Sequence, residues 1–391
     1  VVAGLRAALA RIVLIARRGD TTVAVGDHVA LWRHECGEGG ELMADVVLVT
    51  GVSRYLGGRF ARLLTAEPGI KRVIGVDVIP PLHDIGDAEF VRADIRNPMI
   101  AKIITQAEVD TVVHMNLIAT PLSAGGRVSQ KEINVIGTMQ LLAACQKAPS
   151  IRRLVVKSSA AVYGSSPRDP AMFTEDMGPK SLPRIGFGKD SVEVEGYVRG
   201  FSRRRGDVEI SMLRLANIVG PGIRTSLTDY FSLPVIPTTF GYDARLQLVH
   251  EDDALEGLRL ATMGPPVGIV NVSGDGVITV QQAIRLSGRA SFPVPLSAGG
   301  LLGQLVKRAG LADFSQDQMR FLAWGRVLDT TRMREVLGLE PKYTTRTAFE
   351  DFISHVGSGL PGGPAIGAAV SGLAGSAVNV IGRALMPGRN D

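Results

Sequence analysis

"VLVTGVSRYLGG", residues 47–58, decides the fold. A β-branched run meets a glycine-bearing turn, and the turn opens an amphipathic stretch, so the segment reads as strand, turn, helix. Gly51 allows the tight turn. Gly57 lets the helix approach the sheet. The helix start then offers free N–H groups and the positive end of its dipole, the setting in which a loop cradles a dinucleotide pyrophosphate. Ser53, Tyr55 and Leu56 fill the loop between the glycines. Arg54 stands at a position that a middle glycine would occupy. Either its Cβ limits the approach of the pyrophosphate, or its guanidinium swings out onto a phosphate. Taken alone, the segment also reads as a strand–helix junction with incidental glycines.

The next signal lies 26 residues after Gly51, where Asp77 ends "RVIGVD" (72–77). A carboxylate at that strand end can accept both hydroxyls of an adenosine ribose and repel a 2′-phosphate, which favours NAD over NADP. Arg54 pulls the other way. By itself, Asp77 is equally a helix cap at a strand end. Further short β-branched runs follow: "EFVRAD" (89–94), "DTVVHM" (110–115), "RLVVKSS" (153–159) and "EISMLRL" (209–215). Helical patterns alternate with them, among them 57–67 and 133–148. Alternation of this kind implies an α/β fold with a doubly wound parallel sheet, covered on both faces.

Four stretches of different character divide the chain. Residues 1–43 form an N-terminal extension, apolar but broken by Arg6 and Arg11, with Arg17 and Arg18 after the apolar run. That order is wrong for a signal peptide, and no uncharged run there reaches the roughly 18 residues of a spanning helix. Two readings stand: a poorly packed extension, or a natural start at Met43, just before the first strand. Residues 44–222 read as the dinucleotide domain. After Gly220-Pro221-Gly222 the rhythm changes, and 223–356 reads as a smaller mixed lobe with segments that return to the sheet. Residues 357–391 are rich in Gly and Ala, which bury too little area to offset ordering entropy, so the tail is expected to be flexible. Val370, Leu373, Val378, Ile381 and Leu385 can share a helix face, which leaves weak membrane contact open.

Composition excludes several classes. Net charge is +5 and aromatic content 5%, without the basic stripe and aromatic platforms of a nucleic-acid binder. Cys36 and Cys145 are far apart, and the six His form no metal-binding cluster. No metal is expected, and reduced, cytoplasmic conditions fit.

Several motifs resemble the extended short-chain dehydrogenase/reductases, especially the UDP-glucose 4-epimerase-like branch of the NAD-dependent epimerases and dehydratases. The loop at 50–57 is similar to that family's T-G-x-x-G-x-x-G form. "ADIRNP" (93–98) resembles its adenine-contacting segment, which implies Asp94 on the amino group and Ile95 beside the ring. "VVHMNLIAT" (112–120) resembles the strand under the adenosine, with Met115 and Asn116 in place of small residues. "NVIGTMQLL" (134–142) resembles the helix that carries the family Asn, here Asn134. "KSSAAVYG" (157–164) places Ser159 at the catalytic serine, and "LRLANIVGPG" (213–222) places Asn217 at a substrate contact. "LVHEDDALEGLRLA" (248–261) and "NVSGDGVITVQQA" (271–283) resemble later segments. The resemblance covers about 45–356 and implies a Rossmann-type fold, NAD as cofactor and a nucleotide-sugar as substrate.

One feature of that family is missing. Its acid–base pair is Tyr-x-x-x-Lys, two residues on one helix face, with the Lys charge stabilising phenolate. In "RIGFGKDSVEVEGYV" (184–198) those positions hold Phe187 and Ser191, and none of the six tyrosines has a Lys four residues later. Lys189 should face away. Tyr163 should pack beside its strand. Asp190 and Ser159 remain as candidate catalytic groups. The resemblance implies an NAD-dependent nucleotide-sugar epimerase or dehydratase with atypical acid–base residues. The alternatives are an NAD-binding sensor or scaffold without redox turnover, and a hydroxysteroid-type dehydrogenase. Stretches 133–148 and 187–203 are the candidate pairing helices of a homodimer.

Overall fold

The computed structural model describes residues 44–183, 185–295 and 316–356. The expectations for 1–43 and for the tail lie outside them. Among the described residues, no helix is long and apolar enough to cross a membrane.

The first half alternates as its sequence demands. Strand β1 (Val46–Thr50) leads to helix α1 (Tyr55–Thr65), then β2 (Arg72–Asp77), β3 (Glu89–Arg92), α2 (Met99–Gln106) and β4 (Thr111–His114). Helix α3 (Arg127–Lys131) runs through a π-helical turn, Glu132–Gly137, into α4 (Thr138–Lys147). Strand β5 (Arg153–Ser159), α5 (Gly186–Arg204) and β6 (Glu209–Leu215) follow. The second half is β7 (Asn217–Val219), α6 (Ser226–Phe231), β8 (Val235–Thr239), β9 (Arg245–Leu246), β10 (Leu248–His250), α7 (Glu251–Met263) and β11 (Gly268–Val272). It continues through β12 (Ile278–Thr279), α8 (Val280–Ser287), β13 (Ala290–Val294), α9 (Gln316–Trp324), α10 (Thr331–Glu335) and α11 (Thr345–Val356).

Seven strands make one sheet, in the order β11-β6-β5-β4-β1-β2-β3. Every neighbouring pair is parallel. This is the Rossmann-type order extended by one strand, with the chain reversing direction between β1 and β4. A crevice opens there at the carboxyl ends. Val47, Leu48 and Val49 are wholly buried, which is why β1 is apolar at every position rather than alternating. Helix α1 turns Leu56, Phe60, Ala61 and Leu64 to the sheet at helical spacing. Two core clusters cover the two faces of the sheet, and a third, around Tyr230, Phe231 and Phe349, fills the smaller lobe. The chain returns to the main sheet through α7 and β11, so the smaller lobe is threaded onto the larger one.

Candidate functional site

Two positions in the loop after β1 leave no room for a side chain. Gly51 has φ +81°, and a Cβ there would fall 3.1 Å from the Asn116 Cα. A Cβ on Gly57 would fall 2.1 Å from the Gly51 carbonyl oxygen. Gly57 therefore closes α1 onto the loop itself rather than onto the sheet, as the sequence had suggested. Asp77 is 8% exposed at the end of β2. Its Oδ2 accepts from the Ser53 amide at 3.0 Å and its Oδ1 from the Val78 amide at 2.7 Å, so loop and strand end are locked together. The Ser53 hydroxyl donates to the Ile79 carbonyl. Leu56 is buried and lines the main cavity.

Arg54 takes the swung-out course. Its Nη2 donates to the Ser123 carbonyl at 3.0 Å. Burial lowers its pKa and the Asp77 carboxylate partly opposes that. Arg54 lines two adjoining cavities. The smaller, about 50 Å3, is walled by Asp77, Asp94, Ile95 and Asn116, four of the residues assigned to the adenosine end. Within it the Asp94 carboxylate is held by Arg96, whose Nη2 donates at 2.7 Å, and this pairing lowers the Asp94 pKa.

The larger cavity measures about 630 Å3. It runs from Gly51, Arg54, Tyr55 and Gly57 past Met115 to Ser159, Phe187 and Asn217, and on to Asp317 and Arg326. Ser159 ends β5, and its Oγ accepts from the Ala161 amide at 3.2 Å, which leaves its proton free to donate. Phe187 lines the wall while its ring packs against one core cluster. Ser191 is 1% exposed and its Oγ donates to the Phe187 carbonyl at 2.9 Å.

Two assigned residues lie behind this wall. Asp190 is fully buried and absent from the cavity lining. Arg127 clamps it with both Nη atoms, at 2.5 and 2.6 Å. Its place in the fold is that of an anchor between α3 and α5. Asn134, in the π-helical turn, accepts from the Ile118 amide at 2.8 Å and donates to the Ile118 carbonyl at 3.0 Å and to Asp190 Oδ2 at 3.3 Å. It lines neither cavity, and so shapes the segment after β4 rather than touching a ligand. Lys189 faces Glu193, outside the cavity. Tyr163 is spent on structure. Its hydroxyl donates to Asn271 Oδ1 at 2.8 Å and accepts from Arg214, which is itself held by Glu195.

Three charged residues that sequence reasoning passed over belong to the site. Asp317, on α9, lines the cavity, and its Oδ2 is buried with no hydrogen-bond partner among the described residues. Burial raises its pKa, while Arg320, Arg127 and Arg326 pull it down. Gly186, with φ +72°, makes room for it, since a Cβ there would meet that Oδ2 at 2.3 Å. Lys157 enters the cavity from β5 and donates to the Leu117 carbonyl at 3.1 Å. Glu251, at the start of α7, accepts from the Tyr55 hydroxyl, from Arg59 and from the amides of Gly222 and Ile223.

The chain matches the model of the NAD dependent epimerase/dehydratase family over residues 47–237. An uncharacterized protein of Mycobacterium tuberculosis is 51% identical over 311 residues, 78% of this chain and 83% of that protein. The chain belongs to the NAD dependent epimerase/dehydratase family. NAD is accordingly its cofactor, and the side-chain-free turn at Gly51 and Gly57 beside the locked Asp77 fits a dinucleotide. Solved structures share the family fold. The UDP-glucose 4-epimerase of Thermotoga maritima, with UDP-glucose, superposes with a TM-score of 0.60 at 20% identity over 79% of this chain and 98% of that one. The UDP-glucuronic acid 4-epimerase of Bacillus cereus, with UDP-glucuronic acid and NAD, gives 0.60 at 17% over 80% and 98%. The dTDP-glucose 4,6-dehydratase of Streptomyces venezuelae, with NAD, gives 0.61 at 20% over 79% and 96%.

Proposed function

We propose that this family member acts on a nucleotide-sugar as an NAD-dependent epimerase or dehydratase whose acid–base groups differ from the Tyr-x-x-x-Lys pair. The observation that carries the reading is Asp317. Among the described residues its Oδ2 is a buried acceptor without a donor, at the end of a cavity about 630 Å3 in volume that begins at the dinucleotide loop. An unsatisfied buried acceptor costs free energy until a donor arrives. Sugar hydroxyls are such donors, and the cavity is of small-ligand size.

Bound NAD supplies a hydride acceptor. The chain's residues do the remaining work. Asp77 accepts ribose hydroxyls, and the loop amides with the start of α1 face the phosphates. Ser159 donates its free proton to a substrate oxygen at the carboxyl end of β5. Asn217 contacts the substrate from β7. Asp317, with its raised pKa, accepts a hydroxyl and exchanges a proton with it. The same reading pairs two copies through 133–148 and 187–203, where Ile136, Met139 and Tyr197 are exposed apolar groups.

Incubation with NAD and a panel of UDP-, dTDP- and GDP-sugars tests this. The expected result is an altered sugar or the absorbance of bound NADH. A second reading, an NAD-binding sensor without turnover, is favoured by Phe187 and Ser191. NAD binding with every sugar unchanged would establish that reading instead.

A further inference from the structure

Strand β5 places a cation where its parallel neighbours are apolar. Lys157 and Ser159 are two residues apart, so they share one face of the sheet, and both line the large cavity. The Lys157 ammonium has three donors, and among the described residues its one hydrogen bond goes to the Leu117 carbonyl at 3.1 Å. Among the described residues no carboxylate stands within ion-pairing distance of it. Two other charged or titratable groups act on it. Arg54, from the dinucleotide loop, is a like charge. His114, on β4, is fully buried between Thr50 and Thr138 and stays neutral, with its pKa pushed down to about 3. Asp317, Arg320, Arg326 and Arg127, the last paired with Asp190 behind the wall, charge other parts of it.

We propose that Lys157 is the dinucleotide-contacting cation of this protein, supplied from β5. The proposal rests on the NAD-dependent reading of the site. A cation without a counter-ion, beside the loop that faces two phosphates, is completed by an anionic ligand. The ammonium form holds the ligand more tightly than the amine form does. Burial, then Arg54, pushes the Lys157 pKa down to about 8, so the change of form falls within an accessible range. NAD affinity is therefore expected to fall as pH rises through about 8.

A lysine whose folded pKa is depressed adds stability above its unfolded value and loses it as pH falls through the folded one. Removing it therefore relieves a cost at neutral pH, and Lys157→Met is expected to melt no lower than wild type. Titration calorimetry with NAD between pH 6.5 and 9.5, each value chosen to span about one and a half units around the folded pKa, compares wild type, Lys157→Met and Lys157→Arg. Wild type is expected to lose about tenfold in affinity across the range. Lys157→Met binds about tenfold more weakly at low pH and shows no slope. Lys157→Arg keeps the affinity and loses the slope, since a guanidinium stays charged. In parallel, 13C-dimethyl-lysine NMR of the protein without ligand should show a resonance titrating near 8 that Lys157→Arg removes. Lys157→Met binding NAD as tightly as wild type, with the same slope, overturns the inference and leaves the NAD reading intact. Wild type that binds no NAD at any pH overturns both.

Discussion

The Tyr55 hydroxyl donates to Glu251 Oε1 at 2.7 Å, joining the dinucleotide loop to the chain 196 residues later. Glu251 is 1% exposed, and its other oxygen accepts the Gly222 and Ile223 amides at 3.1 and 3.0 Å. One carboxylate thus fixes the loop that faces the cofactor and the turn that leads to the substrate lobe. Glu251→Ala strands two amides and leaves Arg59 paired with Asp252 alone, and is expected to cost about 2–3 kcal/mol in urea unfolding. Tyr55→Phe removes two bonds, one given to Glu251 and one taken from Arg59, and should cost about 1–2 kcal/mol. An alanine variant as stable as wild type would show that the tie carries nothing.

Gly57→Ala forces a Cβ to within 2.1 Å of the Gly51 oxygen. The loop must shift, and NAD affinity should fall by tenfold or more, about 1.4 kcal/mol, in calorimetry. The far-UV spectrum should be unchanged, because alanine suits a helix.

Asp190 tests the difference between an anchor and a base. Asp190→Asn weakens a two-pronged clamp from Arg127 and should cost about 2 kcal/mol of stability. The shape of any pH–rate profile should not move. A lost limb in that profile would return Asp190 to the chemistry.

The fold was legible where burial left the sequence no choice. Strands at 46–50, 72–77, 153–159 and 209–215 appear at the residues expected, since each runs through the covered interior of the sheet. The third strand was read to Asp94 but ends at Arg92, because Asp94 turns aside to Arg96. The seventh sheet strand, Gly268–Val272, starts three residues before the motif that marked its region. The site was less legible. Glu251 sits in a segment recognised only as a return to the sheet, and its partners are brought to it by topology. Lys157 did carry a signal, a charge inside an otherwise apolar parallel strand. Asp317 carried none, since it depends on Gly186, 131 residues earlier, for the space it fills.

Asp317 gives a pH dependence of stability. Its folded pKa is raised by burial, so the protonated form is favoured in the folded state. Stability from this group is present at low pH and lost as pH rises through the folded value. Asp317→Asn, neutral throughout, should melt higher than wild type at neutral pH. The gap should close below the ordinary aspartate value of about 4. Equal melting temperatures at both pH values would mean that the carboxylate finds a partner in solution.

Rebuilding the absent pair is asymmetric. Phe187→Tyr adds a hydroxyl on a cavity wall and should leave the melting temperature within a few degrees. Ser191→Lys must seat a long chain at a site 1% exposed, costing about 1–3 kcal/mol from overpacking. Turnover gained only in the double variant would show a pocket that lost its proton relay.

The π-helical turn at Glu132–Gly137 bears on how this protein tolerates changes of length. One extra residue in that turn rotates everything beyond it by about 100°. It is this rotation that brings Thr138 onto His114 Nε2 at 2.8 Å and turns Leu141, Leu142 and Cys145 inward. Deleting a single codon between 132 and 137 would straighten the helix and roll its apolar stripe away from the sheet. Among relatives, gaps in this region should therefore be rarer than substitutions.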